Sequence, residues 1–139
     1  MTAPATHQTI LALDVGNRRV GVAAANALAR LPRAVTTLER NADFWGKLEK
    51  LIADESADVL VVGMPRNLQG NATVQTAATR EFIGELRQHF SGTIATQDEA
   101  LTSRQAEAEL HTRGKHYAKG DIDMLAAVYI LEDYLGNTP

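Results

Sequence analysis

Hydrophobic and polar positions along this chain alternate between two periods. Thr9 to Val15 (TILALDV) is almost wholly apolar and predicts a largely buried strand, and Arg19 to Ala25 (RVGVAAA) predicts a second. Gly16-Asn17-Arg18 between them has hairpin chemistry. Arg33 to Leu38 (RAVTTL) predicts a third strand. From Asn41 to Ser56 the spacing becomes helical, with Phe44, Leu48, Leu51 and Ile52 on one stripe and Asn41 placed to cap it. Asp58 to Val62 (DVLVV) reads as a short strand buried on both faces, followed by a loop of turn formers from Gly63 to Asn71. Thr73 to Phe90 is expected as a second helix that turns Ala77, Phe82, Leu86 and Phe90 inward. Thr93 to Gln97 is a weak fifth strand, with Asp98 and Glu99 directly after it. Thr102 to Arg113, stopped by Gly114, predicts a third helix. Asp121 to Leu135 predicts a fourth, with Asp121 as N-cap and Gly136 past its end.

Three strands followed by alternating helices and strands predict one α/β domain over residues 1–139, with residues 1–8 as a flexible lead. Its sheet is mixed and five-stranded, the first three strands antiparallel, with helices packed on it. In such sheets sites form beyond the carboxyl ends of strands.

Composition narrows the class. A chain of 139 residues, 45% hydrophobic and 22% charged, is long enough to bury a core and too ordinary in charge for wholesale disorder. The absence of cysteine removes disulfides, thiolate metal sites and thiol nucleophiles together. No apolar run approaches the ~18 residues of a membrane span, and Met1 to Gln8 lacks the basic and apolar regions of a signal peptide. A cytoplasmic protein with no membrane partner is expected. The net charge of -3 argues weakly against nucleic acid, but its distribution is uneven. Residues 1–40 hold five Arg against two acids, and residues 98–139 hold eight acids against four basic residues.

Several of those acids stand where carboxylates are costly. Asp14 ends the run Ile10-Leu11-Ala12-Leu13, where a charge needs a partner, a hydrogen bond or a metal. The alternative is an acid that caps the next turn. Asp98 and Glu99 lie on opposite faces of an extended chain, so one of them points into a shared site and the other away. Asp123 heads a helical stripe with Ala126, Ala127, Ile130, Leu131 and Tyr134, the buried face; read blandly, it is a first-turn acid that favours the helix dipole. Together, two strand ends and one helix start supply carboxylates with no His or Cys among them. Hard oxygen donors of this kind select Mg²⁺ or Mn²⁺ rather than zinc, and two such ions serve in-line phosphodiester displacement.

Four segments carry a family resemblance. Leu13 to Ala23 (LDVGNRRVGVA) resembles the opening motif of the YqgF (RuvX-like) family, and Val61 to Gly70 (VVGMPRNLQG) its second block. Asp98 to Ser103 (DEALTS) and Lys119 to Ala127 (KGDIDMLAA) resemble the third and fourth, in family order. The family has an RNase H-like fold and is described both as Holliday-junction resolvases and as nucleases that mature the 5′ end of 16S ribosomal RNA precursor. The resemblance implies a metal-dependent phosphodiesterase with Asp14, Asp98 or Glu99, and Asp123 as its catalytic acids. It also implies two Mg²⁺ or Mn²⁺ ions, held by Asp14, Glu99 and Asp123, the choice between Glu99 and Asp98 being open. Its partner would be structured RNA or branched DNA, and the protein a monomer or homodimer. The sequence departs from the family pattern at Ala100, where an Arg usually follows the acidic pair, and has Asn26 at a polar or acidic position after the second strand. Loss of that Arg removes a rigid bidentate phosphate donor.

Substrate contacts are sought among Arg18 and Arg19 in the hairpin, Arg66 and Asn67 after the fourth strand, and Arg104 near Glu99. The stretch from His111 to Lys119 adds Arg113, Lys115 and Lys119, with His116 as a general acid and Tyr117 as a base-stacking side chain. The arginines, lysines and Asn67 are equally well read as ordinary solvated side chains, whereas a lone loop histidine is more often merely exposed and a loop tyrosine more often packs on its own helix. Two other functions compete: a non-catalytic nucleic-acid or ribosome-binding module on the same fold, and an ATP-binding fragment, because sugar kinases and actin-like ATPases open with a similar Asp-x-Gly hairpin. Excluding Asp14, Asp98, Glu99 and Asp123, the chain holds 14 basic and 13 acidic residues, so the acidic average reflects the proposed site.

Overall fold

The computed structural model describes residues 8–99 and 119–137. Its elements run β1 (Thr9–Val15), β2 (Arg19–Asn26), β3 (Arg33–Glu39), α1 (Phe44–Asp54), β4 (Val59–Pro65), α2 (Val74–Leu86), β5 (Thr93–Glu99) and α3 (Lys119–Gly136). They form one sheet of order β3-β2-β1-β4-β5. The pairs β1–β2 and β2–β3 are antiparallel, whereas β1–β4 and β4–β5 are parallel. The mixed sheet and its antiparallel opening follow the expectation from the sequence.

Period-two alternation assigns each strand residue to one of two cores. Leu11, Leu13, Val20, Val22, Leu60 and Val62 face α1 and α2, packing with Phe44, Leu48, Phe82 and Leu86. Ile10, Ala12, Ala23, Ala25, Val59 and Val61 face α3, packing with Ala127, Ile130, Leu131 and Tyr134. The central strands are covered on both sides, which explains their nearly unbroken apolar runs. Ala23, Ala25, Ala126 and Ala127 keep the α3 face shallow, so the helix lies close to the backbone of β2.

At Gly21 that approach is closest. A Cβ built there would lie 2.0 Å from the Asp123 carbonyl oxygen and 2.2 Å from its carbon. At Gly63 it would lie 2.4 Å from Ile130 Cδ1. Glycine at both positions lets α3 settle across β2 and β4. The Thr37 hydroxyl donates to the Gly120 carbonyl (2.7 Å), fastening the first turn of α3 to β3 as well.

Several boundaries differ from expectation. Asn41 does not cap α1; Asp43 holds the cap position, while Asn41 Oδ1 accepts from the Asp43 N–H (3.0 Å) and shapes the preceding turn. β4 extends through Gly63, Met64 and Pro65, because parallel pairing with β5 continues to Pro65 opposite Glu99. For the same reason Asp98 and Glu99 belong to β5 rather than following it. In α2 Ala77 is exposed, and Thr76 and Thr79 turn inward instead. Thr73 and Thr76 make a reciprocal capping box, the Thr76 hydroxyl donates to the Pro65 carbonyl, and that of Thr79 donates to the Gln75 carbonyl (3.0 Å). Their burial is thereby satisfied. Asp121 lies inside the first turn of α3, not at its cap. The helix expected over Thr102 to Arg113, its Gly114 stop and the lead before Gln8 lie outside the described residues.

Gly21→Ala should cost about 3 kcal/mol, because backbone rather than a flexible side chain blocks the new methyl. Gly84→Ala, on α2 with nothing within 4 Å of the added carbon, should stabilise by about 0.5–1 kcal/mol. Urea unfolding of the two variants checks the contrast.

Candidate active site

Asp14 is the penultimate residue of β1 and takes the α3 face by alternation from Ile10 and Ala12. Its cross-strand partner is Gly21, the residue on which the Asp123 backbone rests. One glycine thus brings two carboxylates, 109 positions apart in the numbering, to the same spot. Burial is the larger cause and the Asp123 charge the second in raising the Asp14 pKa from 3.8 to about 7. Asp123 is steadied by Arg19, whose Nε donates to Oδ2 at 2.8 Å. Their side chains are only 30% and 17% exposed, so this pair is less screened than a surface ion pair.

The acidic pair on β5 is divided by the pleat. Ile94 packs toward α1 and α2 and Ala95 toward α3, so Asp98 takes the first face and Glu99 the second. Glu99 therefore shares the face of Asp14 and Asp123. Register places Gln97 level with Asp14, through Leu13 opposite Val62 and Val62 opposite Thr96. Glu99 is two strands across and two residues further along, roughly 12 Å between Cα atoms at standard strand spacings. Asp98 is 70% exposed and pairs with Arg66 Nε at 3.3 Å. Among the described residues no three acidic or imidazole groups converge on one point; the tight unit is the Asp14–Asp123 pair.

Arg18 and Arg19 stand where the hairpin expectation put them. With Gly16, Asn17 and Asp123 they line an open cleft of about 430 Å³ at the edge of the sheet. Asn67 Oδ1 accepts from the N–H groups of Gln69 (3.0 Å) and Asn71 (2.9 Å), so this side chain organises its own loop. Asn26 pairs with Thr9 at the far end of β1 and accepts from Leu28 N–H (2.8 Å), capping a turn remote from Asp14. Arg104, Arg113 and Lys115, together with Ala100, His111, His116 and Tyr117, lie outside the described residues, and Lys119 begins α3.

Sequence reasoning passed over Arg40 and Gly21. Arg40 follows β3 on the same sheet edge as the hairpin, and its Nη1 donates to the Gly16 carbonyl (2.9 Å). Its sequence context does not set it apart from other basic residues, because the groups it touches are distant in the chain. Gly21 stands in an apolar strand where a side chain was expected, the signal of a close backbone approach.

A five-stranded mixed sheet of order β3-β2-β1-β4-β5, with acids at the ends of β1 and β5 and at the start of a helix across them, defines an RNase H-like protein. Residues 8–137 match the RuvX family, described as Holliday junction resolvase, and the chain belongs to that family. It is 35% identical over 132 residues to a Photorhabdus laumondii protein named "Putative pre-16S rRNA nuclease", spanning 92% of this chain and 95% of that one. A Pectobacterium carotovorum protein of the same name is 37% identical over 131 residues, covering 91% and 94%. Among solved structures, RuvC of T. thermophilus in complex with a Holliday junction substrate superposes with a TM-score of 0.52. It is 14% identical and covers 93% of this chain and 94% of that one. The Fowlpox virus resolvase, solved with Holliday junction DNA, also gives 0.52, at 8% identity and 93% and 97% coverage. At these identities the likeness is one of fold. Among the described residues no helix is long and apolar enough to cross a membrane.

The raised Asp14 pKa sets a pH dependence for the metal-free protein. Between about 4 and 7 the folded chain keeps a proton that the unfolded chain has released. Stability from this group therefore falls as pH rises across that window and is flat above it. Asp14→Asn in the presence of a chelator should gain roughly 2–4 kcal/mol over the parent at pH 8 and almost nothing near pH 4. Denaturant titrations at the two pH values measure the difference.

Proposed function

We propose that this protein is a nuclease that hydrolyses phosphodiester bonds of structured nucleic acid, and that its substrate is the 5′ region of precursor 16S ribosomal RNA. The observation that carries this reading is the Asp14–Asp123 pair, held together across Gly21 beside a cleft lined by Arg18 and Arg19. Two carboxylates, one of them kept protonated up to about pH 7 first by burial and then by the charge of the other, form a centre deficient in positive charge. The family and the names of the relatives agree with phosphodiester chemistry.

The donor set fits a hard divalent ion of the Mg²⁺ or Mn²⁺ class. Such ions are bound through one or two carboxylates while keeping several waters, and Asp14 and Asp123 are the two that meet. Glu99, on the same face, is the third acid and would hold a second ion from the β5 side. When bound, these ions supply an activated water and neutralise charge on the phosphoryl group and leaving oxygen.

The chain's own residues do the rest. Asp14 and Asp123 hold their negative charge in a fixed place because one rides a central strand and the other a helix fastened to the sheet. Arg19 gives Nε to Asp123, which fixes its guanidinium at the cleft edge as a donor to a phosphate oxygen. Arg18 adds a second cation at the turn. Asp98 and Arg66 form a pair of their own on the other face, beside the Asn67 loop; there Arg66 serves the substrate's flank rather than the reacting phosphate. Arg104, Arg113, Lys115 and Lys119 complete the proposed substrate contacts from the segment leading into α3.

Cleavage of a precursor 16S RNA 5′ segment and of a four-way DNA junction, each with Mg²⁺ or Mn²⁺, tests the reading. Asp14→Asn and Asp123→Asn should each reduce cleavage by about 10³-fold or more, given the electrostatic contribution expected of such groups, while leaving the chain folded. Glu99→Gln should cost far more activity than Asp98→Asn. Junction cutting with the RNA left intact would move the substrate to branched DNA and call for a dimer, since two symmetric cuts need two sites. Undiminished cleavage by Asp14→Asn would sink the assignment.

A further inference from the structure

Arg40 has no part in the chemistry described so far, yet it is unusually well held for an exposed arginine. Its backbone N–H donates to the Arg18 carbonyl (2.7 Å) and its Nη1 to the Gly16 carbonyl (2.9 Å). Its guanidinium carbon lies 5.3 Å from the centroid of the Phe82 ring, within cation–π range. Phe82 is itself fixed in an aromatic stack with Trp45 (centroids 5.2 Å apart, planes at 22°). Rotamer freedom that a free arginine would lose on binding is largely lost already. Among the described residues no carboxylate forms an ion pair with Arg40.

Beside the Asp123 cleft lies a second depression of about 320 Å³, reaching Glu39, Arg40 and Asn41. The two depressions share Asn17, Arg18 and Arg19, so they form one groove that runs from Asp123 across the ends of β1, β2 and β3. Arg19 is engaged by Asp123 at its inner end. Its outer part sets Arg18 and Arg40 against a single acid, Glu39, which is exposed. At about 4.8 Å per strand the groove spans roughly 10 Å. Among the described residues no aromatic side chain lines it, and Trp45 is taken up by Phe82 on one side and His89 on the other. The groove is equipped to take phosphates, not to stack bases.

We propose that this groove is a phosphate track, with Arg40 and Arg18 as its donors, that holds the sugar–phosphate backbone on the β3 side of the bond to be hydrolysed. The inference rests on the nuclease reading and deepens it. Recognition along the track is by backbone charge and is indifferent to base sequence.

Binding of a fluorescein-labelled single-stranded RNA of mixed sequence, followed by anisotropy across a salt series, tests the track. All variants carry Asp14→Asn, so cleavage does not enter. Arg40→Gln and Arg18→Gln should each weaken binding several-fold and reduce the slope of log affinity against log salt by about 0.7, the loss of one single-strand phosphate contact. Arg40→Lys should keep the slope. Arg80→Gln, an equal loss of charge on the exposed side of α2, should change neither quantity. Arg18 sits at the turn tip, so its variant leaves the Gly16 and Phe82 contacts of Arg40 in place and reads the track without disturbing the fold. An unchanged slope in both Gln variants, or an equal drop in Arg80→Gln, overturns the proposal. Cleavage by the protein with Asp14 intact is scored separately. Unchanged slopes with cleavage present discard the track and keep the nuclease. Reduced slopes with no cleavage keep the track and discard the nuclease.

Discussion

The close passage of α3 over β2 at Gly21 is the constraint on which the rest of this structure depends. With the Asp123 carbonyl 2.0 Å from where a side chain would begin, the helix is set down on bare backbone. Since Gly21 is also the cross-strand neighbour of Asp14, the same contact that lets the helix pack fixes the distance between two carboxylates. The clamp is repeated at either side, by Thr37 on the Gly120 carbonyl and by Ile130 over Gly63. Further along α3, Ile130, Leu131 and Tyr134 are buried against Ile10, Val59 and Val61. Apolar packing in the lower half of the helix thus offsets the repulsion at its head, an instance of local conflict at a site stabilised by the surrounding core.

Charge at the sheet edge is arranged by the same geometry. Strand alternation sends Asp98 to Arg66 on one face and Glu99 to the face of Asp14 on the other. Two adjacent acids therefore have different electrostatic settings without any difference in sequence context. Arg19 lies on the α3 face of β2, one strand from Asp14, and the hairpin's tightness brings it to Asp123 rather than to solvent. A single guanidinium cannot neutralise both carboxylates, and the Asp123 charge adds to burial, the larger cause, in raising the pKa of Asp14.

Much of this was legible in the sequence, for identifiable reasons. Unbroken apolar runs mark β1 and β4 because both are buried on two faces, and the stripe from Asp123 to Tyr134 marks α3 because the helix has one buried side. Asp123 was singled out by its place on that stripe, and the structure puts it next to Asp14. Less legible were features that depend on pairing. Where β5 ends is decided by its ladder with β4, and which of Asp98 and Glu99 faces α3 is decided by register. Asn41 and Asp121 have cap chemistry, yet the helices start three residues after the first and two before the second. Thr76 and Thr79 read as polar positions of α2, and only the Pro65 and Gln75 carbonyls make their burial possible. Ala77, short and apolar, was expected inside for want of those partners. Arg40 was invisible because its importance lies in contacts to Gly16, Arg18 and Phe82, residues far from it in the chain.

Net charge, finally, describes this protein poorly because its charges are segregated. The total of -3 sums the arginine-lined edge at the hairpin and its neighbouring acids with charges spread over the rest of the chain. Coulomb interactions between exposed groups fade over about 8–10 Å at physiological salt, so an approaching polyanion responds to the groups around the edge it meets rather than to the sum. At that edge it meets Arg18 and Arg40 before it meets Asp14, which is set back in the sheet and half-neutralised by its own proton near pH 7. The order in which the charges are encountered follows from the strand order β3-β2-β1, and through it the topology of three antiparallel strands becomes an electrostatic gradient directed at the acidic pair.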